Sequence, residues 1–156
     1  MYPCRRIFED PLEDTNMTNE KLKTLAQGLN GVVTAEGVSF AAELVEGEVP
    51  LLKVEVRDRE EFPIYVTVDE DQILCATYLW RENEVDPQKR MALMEDMLSM
   101  NLPMPLSSFG KIGDQYLIFG AMAIDSRREE VQHEIAVLSD NTLGAVEAMS
   151  EHLKSV

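Results

Sequence analysis

The amino-acid sequence predicts a two-layer α+β domain in which helices pack on an antiparallel sheet of about five strands. Two kinds of periodicity support this prediction: apolar residues alternate with polar ones in some runs and recur at helical spacing in others. The predicted order is a helix, three or four strands, a helix, a hairpin and a helix, in its simplest form α-β-β-β-α-β-β-α. Consecutive strands have short connections, which favour antiparallel pairing because parallel pairing needs long crossovers.

The chain is long enough for one domain of ordinary size. It has 156 residues, of which 45% are hydrophobic, so it can bury one sizeable core. Residues 17–156 are predicted to form this single α+β domain. Residues 1–16 are rich in charge and proline and show no periodicity, so we expect them to be a disordered extension.

The first half of the domain contains a helix followed by strands. Leu22, Leu25 and Leu29 recur at helical spacing, and a stop signal follows them at Asn30-Gly31. Alternating apolar residues then indicate strands in three runs, which are 38–44, 52–56 and 64–68. The charged run after residue 56 leaves open whether 51–68 forms one bent strand or two. The run 73–80 is apolar on both faces, which is typical of a central strand.

The second half begins with a helix start at Asp86-Pro87, because Asp can cap free amides and Pro fits the first helical position. This second helix is predicted to run to about Met100. Residues 108–112 and 115–123 read as a hairpin whose tight turn contains Gly113. A capping box at residues 126–129 then opens a long last helix.

The charge of the chain excludes several classes of partner. Lys and Arg total 14 against 29 Asp and Glu, giving a net charge of −15. Such a surface repels nucleic acid and anionic lipid, so neither nucleic-acid binding nor direct membrane insertion is expected. The sequence has no apolar run long enough to span a bilayer and no apolar segment of the kind a secretory signal needs. We therefore expect a cytoplasmic protein.

The sequence contains no complete set of catalytic or metal-binding residues. Glu130 and His133 match half of a carboxylate-bridged metal motif, but such sites need two copies, and His133 lies opposite the apolar stripe of its helix. The acidic run 69–71 lacks the ligands of a calcium loop and is typical of a solvated turn. We therefore predict no catalytic residues, no metal and no cofactor. A metal-dependent protein centred on these residues is one alternative.

The feature that most suggests binding is a strip rich in methionine. The apolar residues of the second helix cover about half of its circumference, wider than the ~100° stripe that one packing surface needs. Filling of the core explains part of this width. The candidate protein-binding residues are Met91, Met94, Met97, Met100, Leu102, Met104 and Leu106. Because the apolar face exceeds what one sheet needs, we also expect a homodimer.

The segment 102–121, LPMPLSSFGKIGDQYLIFGA, followed by the acidic amphipathic helix from Ser126, resembles the YjfI-like family of small bacterial proteins of unknown function. This resemblance covers about residues 17–154. It implies a role beside homologues of phage-shock-protein A, a coiled-coil protein of membrane stress. The order of elements is also similar to that of type III secretion chaperones and YbjN-like proteins, which are acidic α+β dimers that hold partner polypeptides.

These observations favour a non-enzymatic, chaperone-like adaptor that binds a protein partner. The resemblance names a phage-shock-type coiled coil as that partner, and the protein would then act in a stress response. Besides the metal-dependent protein, a second alternative to the adaptor is a sensor with an apolar pocket for a small ligand.

Overall fold

The structure is a computed structural model and describes residues 11–155. The helices and strands follow one another along the chain in nearly the predicted order. The helices are α1 (Pro11–Leu29), α2 (Arg90–Met100) and α3 (Arg128–Met149). The strands are β1 (Phe40–Val45), β2 (Leu51–Val56), β3 (Ile64–Val68), β4 (Gln72–Arg81), β5 (Ser108–Ile112) and β6 (Gln115–Ala123).

All six strands form one antiparallel sheet in the order β1-β2-β3-β4-β6-β5. The prediction of an α+β fold with an antiparallel sheet is confirmed, and β4 is central as expected. The strand number is six rather than about five because residues 51–68 form two strands. A turn separates them, and its Asp58 adopts a positive φ of 66° that breaks the extended chain.

The core lies between one face of this sheet and the helices. α1 packs on β1, β2 and β3, whereas α3 packs on β4 and β6. Inward-facing side chains such as Val54, Ile73 and Ile118 are fully buried, as are Leu22 of α1 and Ile135 of α3. Burial of this apolar surface is the main term that holds the two layers together.

Helix α3 continues through Ser139, Asp140 and Asn141, polar residues that can interrupt a helix by bonding to their own backbone. Their side chains bond to other elements instead. Arg59 donates hydrogen bonds to Ser139 Oγ (3.2 Å) and Asp140 Oδ1 (2.5 Å), whereas Asn141 binds the segment before β5.

Three helix starts differ from the sequence prediction. α1 begins at Pro11, within the segment 1–16 that was expected to be an extension; residues 1–10 lie outside the described part of the chain. α2 begins at Arg90, because the Asp86 carboxylate accepts a hydrogen bond from the Gln88 amide (3.0 Å) and closes a turn before the helix. At α3, the Glu130 carboxylate accepts from the Arg127 amide (2.8 Å), one residue later than the predicted box.

None of the helices within residues 11–155 is both long enough and apolar enough to cross a membrane.

Candidate functional site

Helix α2 is held at its start by a cluster of polar side chains around Glu82. The Glu82 carboxylate accepts hydrogen bonds from Arg90, Lys111 and the hydroxyl of Tyr116, the last at 2.8 Å. The Lys111 ammonium also lies 4.9 Å from the centre of the Tyr116 ring, a cation–π contact. The hydrogen bond from Arg90, followed by those from Lys111 and Tyr116, lowers the pKa of Glu82 from 4.5 to about 2. This cluster joins α2 to β5 and β6.

The other fixed point of α2 is a contact with the C-terminal end of the chain. Nε2 of the buried His152 lies 2.7 Å from Oδ2 of Asp96, and the backbone carbonyl of His152 accepts from the Asp86 amide at 3.0 Å. The pairing was missed because 56 residues separate the partners and no local pattern connects them.

These two anchors orient α2 so that it presents two different faces. Leu93 and Met97 point into the core, and Met97 is only 6% exposed. Met91 and Leu98 point to solvent with 72% and 70% of their surface exposed. Met94 and Met100 are half-buried and pack against the core. The structure therefore removes Met97 from the candidate surface, because a side chain buried in the core is not accessible to a partner.

The segment 102–106, which we call the apolar segment, follows α2 and is also exposed. Leu102 and Leu106 have 91% and 53% of their surface in solvent, whereas Met104 between them is half-buried against the core. Large apolar side chains at such exposure gain much less from folding than the fully buried side chains of the core do. Together with Met91 and Leu98, they form what we call the α2 surface.

Hydrogen bonds fix the conformation of the apolar segment on both sides. Asn101 accepts a hydrogen bond from the Phe109 amide at 2.7 Å. From α3, Asn141 donates to the carbonyl oxygen of Pro105 at 2.8 Å and to the Ser107 hydroxyl at 2.9 Å. The exposed leucines are therefore presented by a defined backbone, which lowers the entropic cost of binding a partner.

The backbone of Leu106 is in the left-handed region, with φ of 61°. This conformation costs a non-glycine residue roughly 1–2 kcal/mol, and Asn, Asp and Gly adopt it more readily than Leu. The carbonyl oxygen of Leu106 lies 3.0 Å from the position that a Cβ atom on Gly120 would occupy. The absence of a side chain at Gly120 therefore makes room for this backbone.

Glu134 lies beneath the same region and was not singled out from the sequence. Its side chain is on the inner face of α3, where the residue is 6% exposed, and its Oε1 atom is 2.0 Å from the position of a Cβ on Gly120. Burial raises the pKa of the Glu134 carboxyl. Burial also raises the pKa of the Cys75 thiol to about 12, with a smaller contribution from the charge of Glu134.

The residues on which the metal-dependent alternative was centred either accept backbone hydrogen bonds or face solvent. Glu130 caps α3, and His133 is exposed, as its position on the helix predicted. Asp69 accepts hydrogen bonds from the amides of Asp71 (2.8 Å) and Gln72 (2.9 Å), which makes the acidic run a turn between β3 and β4. Within the described residues, potential metal-ligand atoms converge only at Asp96, Glu151 and His152, within 4.8 Å of one another.

A groove of about 330 Å³ lies between the start of α1 and the β3–β4 turn. Its lining includes Met17, Lys21, Val68 and Ile124 beside the carboxylates of Asp69 and Asp125. This groove is the feature to which the small-ligand alternative would apply.

The sequence of residues 19–153 matches the model of a family, DUF2170, described as uncharacterized protein conserved in bacteria. The chain belongs to this family. No curated protein sequence matches the chain. The predicted resemblance to a bacterial family of unknown function is confirmed at this level, whereas the YjfI-like name and the phage-shock neighbourhood stay predictions.

Among solved structures, the fold is similar to that of YbjN from E. coli, a protein described as a proposed transcription regulator. The two chains superpose with a TM-score of 0.60 and 15% sequence identity, over 86% of this chain and 96% of YbjN. At this identity the similarity shows the fold alone. It confirms the predicted YbjN-like topology.

Proposed function

We propose that this protein is a non-enzymatic adaptor that binds a protein partner through the α2 surface. The observation that carries the proposal is the exposure of Leu102 and Leu106 in a segment whose backbone is held by Asn101 and Asn141. Exposed apolar groups that are rigidly presented are typical of interaction sites, because they bury apolar area on binding without a large loss of conformational entropy.

The shape and charge of the α2 surface favour a helical partner. Met91 and Leu98 are seven residues apart on one side of α2, and Leu102 follows in the turn beyond it, so the exposed apolar groups form a stripe. An amphipathic helix can pack along such a stripe. Glu95 and Asp96 are exposed beside it, so basic residues flanking the apolar face of the partner would strengthen the contact.

The finer proposal for the partner is a coiled-coil protein of the phage-shock-protein A type. Its support is the sequence resemblance of the segment 102–121, which contains the whole apolar segment. The long amphipathic helices of a coiled coil supply the partner shape that the α2 surface favours. A chaperone-like role in a membrane-stress response follows from this proposal.

YbjN is described as a proposed transcription regulator, and the charge of this chain bears on any such role. With a net charge of −15, direct binding to DNA would be opposed by repulsion from the phosphates. If this chain acts in regulation, it acts by contacting another protein.

The proposal is tested by light scattering of the protein mixed with a co-encoded phage-shock-type coiled-coil protein. We expect a complex for the wild type and its loss in Leu98→Asp and Leu102→Asp, whose exposed positions tolerate a charge. Val49→Asp is the matched control, since Val49 is an exposed apolar residue between β1 and β2. No complex with the wild type, or equal weakening by the control, would contradict the proposal.

A further inference from the structure

The face of the sheet that points away from the helices has no covering element among the described residues. α1 and α3 pack on the opposite face, and α2 contributes Leu93 and Met97 to the core on that same helical side. Along β4 and β6, the residues between the buried positions therefore point outward. The accessible apolar outward residues Tyr65, Leu74, Ala76, Tyr78, Phe119 and Ala121 define what we call the outer face.

The outer face is packed by its own side chains. The rings of Tyr65 and Tyr78 lie 5.5 Å apart across β3 and β4. On β6, Phe119 and Leu117 lie over Gly110 of β5, at 3.1 Å and 3.3 Å from the position that a Cβ atom on Gly110 would occupy. Leu117 is buried, although it is not part of the core beneath the helices. The result is a continuous apolar and aromatic surface across four strands.

This surface is free of charge in a strongly charged protein. A bulge interrupts the pairing of β4 with β6 between Tyr78 and Arg81. From this bulge to the end of the sheet at the β3–β4 turn, no outward position of β3, β4, β5 or β6 holds Asp, Glu, Lys or Arg. The charges lie at its margins. Glu43, Lys53 and Glu55 are on β1 and β2, and Lys53 pairs with Glu55 at 2.7 Å. An uncharged centre with a polar rim is the anatomy of a protein–protein interface.

We infer that the outer face binds a second copy of this chain, so that the protein is a homodimer through its sheet. Two chains that each carry a net charge of −15 repel each other, and they can approach most closely where neither presents a carboxylate. A strongly basic partner would find no countercharge on this face. The surface most complementary to it is another uncharged apolar surface, which a twofold axis supplies.

The geometry of the sheet permits this contact. A twofold axis running along the strands between β4 and β6 would lay β3 of one copy over β5 of the other. The charged strip on β1 and β2 of each copy would then lie beyond the contact, in solvent. Strands about 4.8 Å apart give the four strands a flat footprint of roughly 500 Å². That is within a factor of about two of the ~800 Å² per partner of a standard interface. The flat footprint leaves out the additional area of the side chains that project from the sheet.

The test is sedimentation or light scattering of the full chain at micromolar concentration, with variants that add the same charge at different surfaces. We expect a dimeric wild type that becomes monomeric in Tyr78→Glu and in Ala121→Glu, since both positions are exposed and face outward. Leu98→Glu on α2 is the matched control and should stay dimeric. Circular dichroism establishes that each variant is folded.

The dissociation constant of the dimer should also fall as salt is added, because screening weakens the repulsion between the acidic chains while the uncharged contact is unaffected. A monomeric wild type would overturn the inference. So would a dimer that survives Tyr78→Glu and Ala121→Glu but is lost in Leu98→Glu, since that result would place the dimer contact on the α2 surface. Loss of the coiled-coil complex alone leaves this inference intact, because the two surfaces are on opposite sides of the sheet.

Discussion

The side-chain amide of Asn141 donates hydrogen bonds to the carbonyl oxygen of Pro105, at 2.8 Å, and to the hydroxyl of Ser107, at 2.9 Å. The last helix thus fixes the loop that presents the exposed leucines. Both bonds come from one amide nitrogen, so a single substitution releases the apolar segment from α3.

We expect Asn141→Ala to lower the free energy of unfolding by about 1–2 kcal/mol, since two hydrogen bonds are lost, and also to weaken partner binding. Gln132→Ala is the matched control, because Gln132 on α3 also donates from its side-chain amide to a backbone carbonyl, that of Gly28 at 3.0 Å. Urea unfolding and calorimetric titration measure the two effects. Equal partner affinity in both variants would mean that the apolar segment does not take part in binding.

Leu106→Asn separates the stability of the fold from the proposed binding to a partner. Asn adopts the left-handed conformation more readily than Leu, and the site is half in solvent, so we expect stability within about 1 kcal/mol of the wild type. The affinity for the partner should fall by about tenfold, because an apolar contact of about 1.4 kcal/mol is lost. A variant that is stable and binds as tightly as the wild type would exclude Leu106 from the interface.

Gly120 is required by the close approach of Glu134 and Leu106. A methyl group on it would lie 2.0 Å from Glu134 Oε1 and 3.0 Å from the Leu106 carbonyl oxygen. Gly120→Ala should therefore destabilise the protein by about 1–3 kcal/mol. In the double variant, Glu134→Ala should recover part of the lost stability. It removes the contact with Glu134 Oε1 and leaves only the contact with the Leu106 carbonyl oxygen.

Gly144→Ala provides the control for this effect. A Cβ atom on Gly144 meets nothing within 4 Å, and the residue lies within α3. Ala should raise the free energy of unfolding there by about 1 kcal/mol, the difference in helix propensity. If Gly120→Ala did not lower the thermal stability of the protein either, the result would contradict the close packing of Glu134 against Gly120 of β6.

The cluster around Glu82 predicts a specific dependence of stability on pH. The folded-state pKa of about 2 lies below the ordinary value of 4.5, so the stabilisation is fully present above pH 4.5. It is lost as the pH falls from 4.5 towards 2. Glu82→Gln should therefore be less stable than the wild type at neutral pH, with a difference that shrinks over this acidic range.

Urea unfolding of the wild type, Glu82→Gln and Glu48→Gln at several pH values tests this prediction. Glu48 is exposed in the loop between β1 and β2, so its replacement should have little effect. A difference between the wild type and Glu82→Gln that stays constant from neutral to acidic pH would show that the charge of Glu82 is not what holds α2.

Periodicity predicted those parts of the structure that local sequence determines. The hairpin with a positive φ at Gly113, the central strand around Cys75 and the unbroken last helix all follow from short patterns. The predicted start of α2 at Asp86-Pro87 was wrong, because Asp86 caps a turn rather than the helix. The pair Asp96–His152 and the burial of Glu134 depend on elements far apart in the chain, which local patterns do not relate.

The apolar pattern of α2 did not show which of its methionines are exposed and which are buried. Met91 and Met97 lie in the same broad apolar arc of α2, yet one is exposed and the other is in the core. The difference arises from the orientation that the Glu82 cluster and His152 impose on the helix. Only the tertiary structure therefore distinguishes the exposed methionines of α2 from those that fill the core.

The most direct measurement is an NMR titration of protein labelled at its methionine methyl groups, with the phage-shock-type coiled-coil protein as titrant. We expect the signals of Met91, Met94 and Met104 to shift or broaden in proportion to complex formed. Met149 is 1% exposed in α3 and should stay unchanged. Shifts confined to methionines outside α2 and the apolar segment, or no shifts at saturating titrant, would contradict partner binding at the α2 surface.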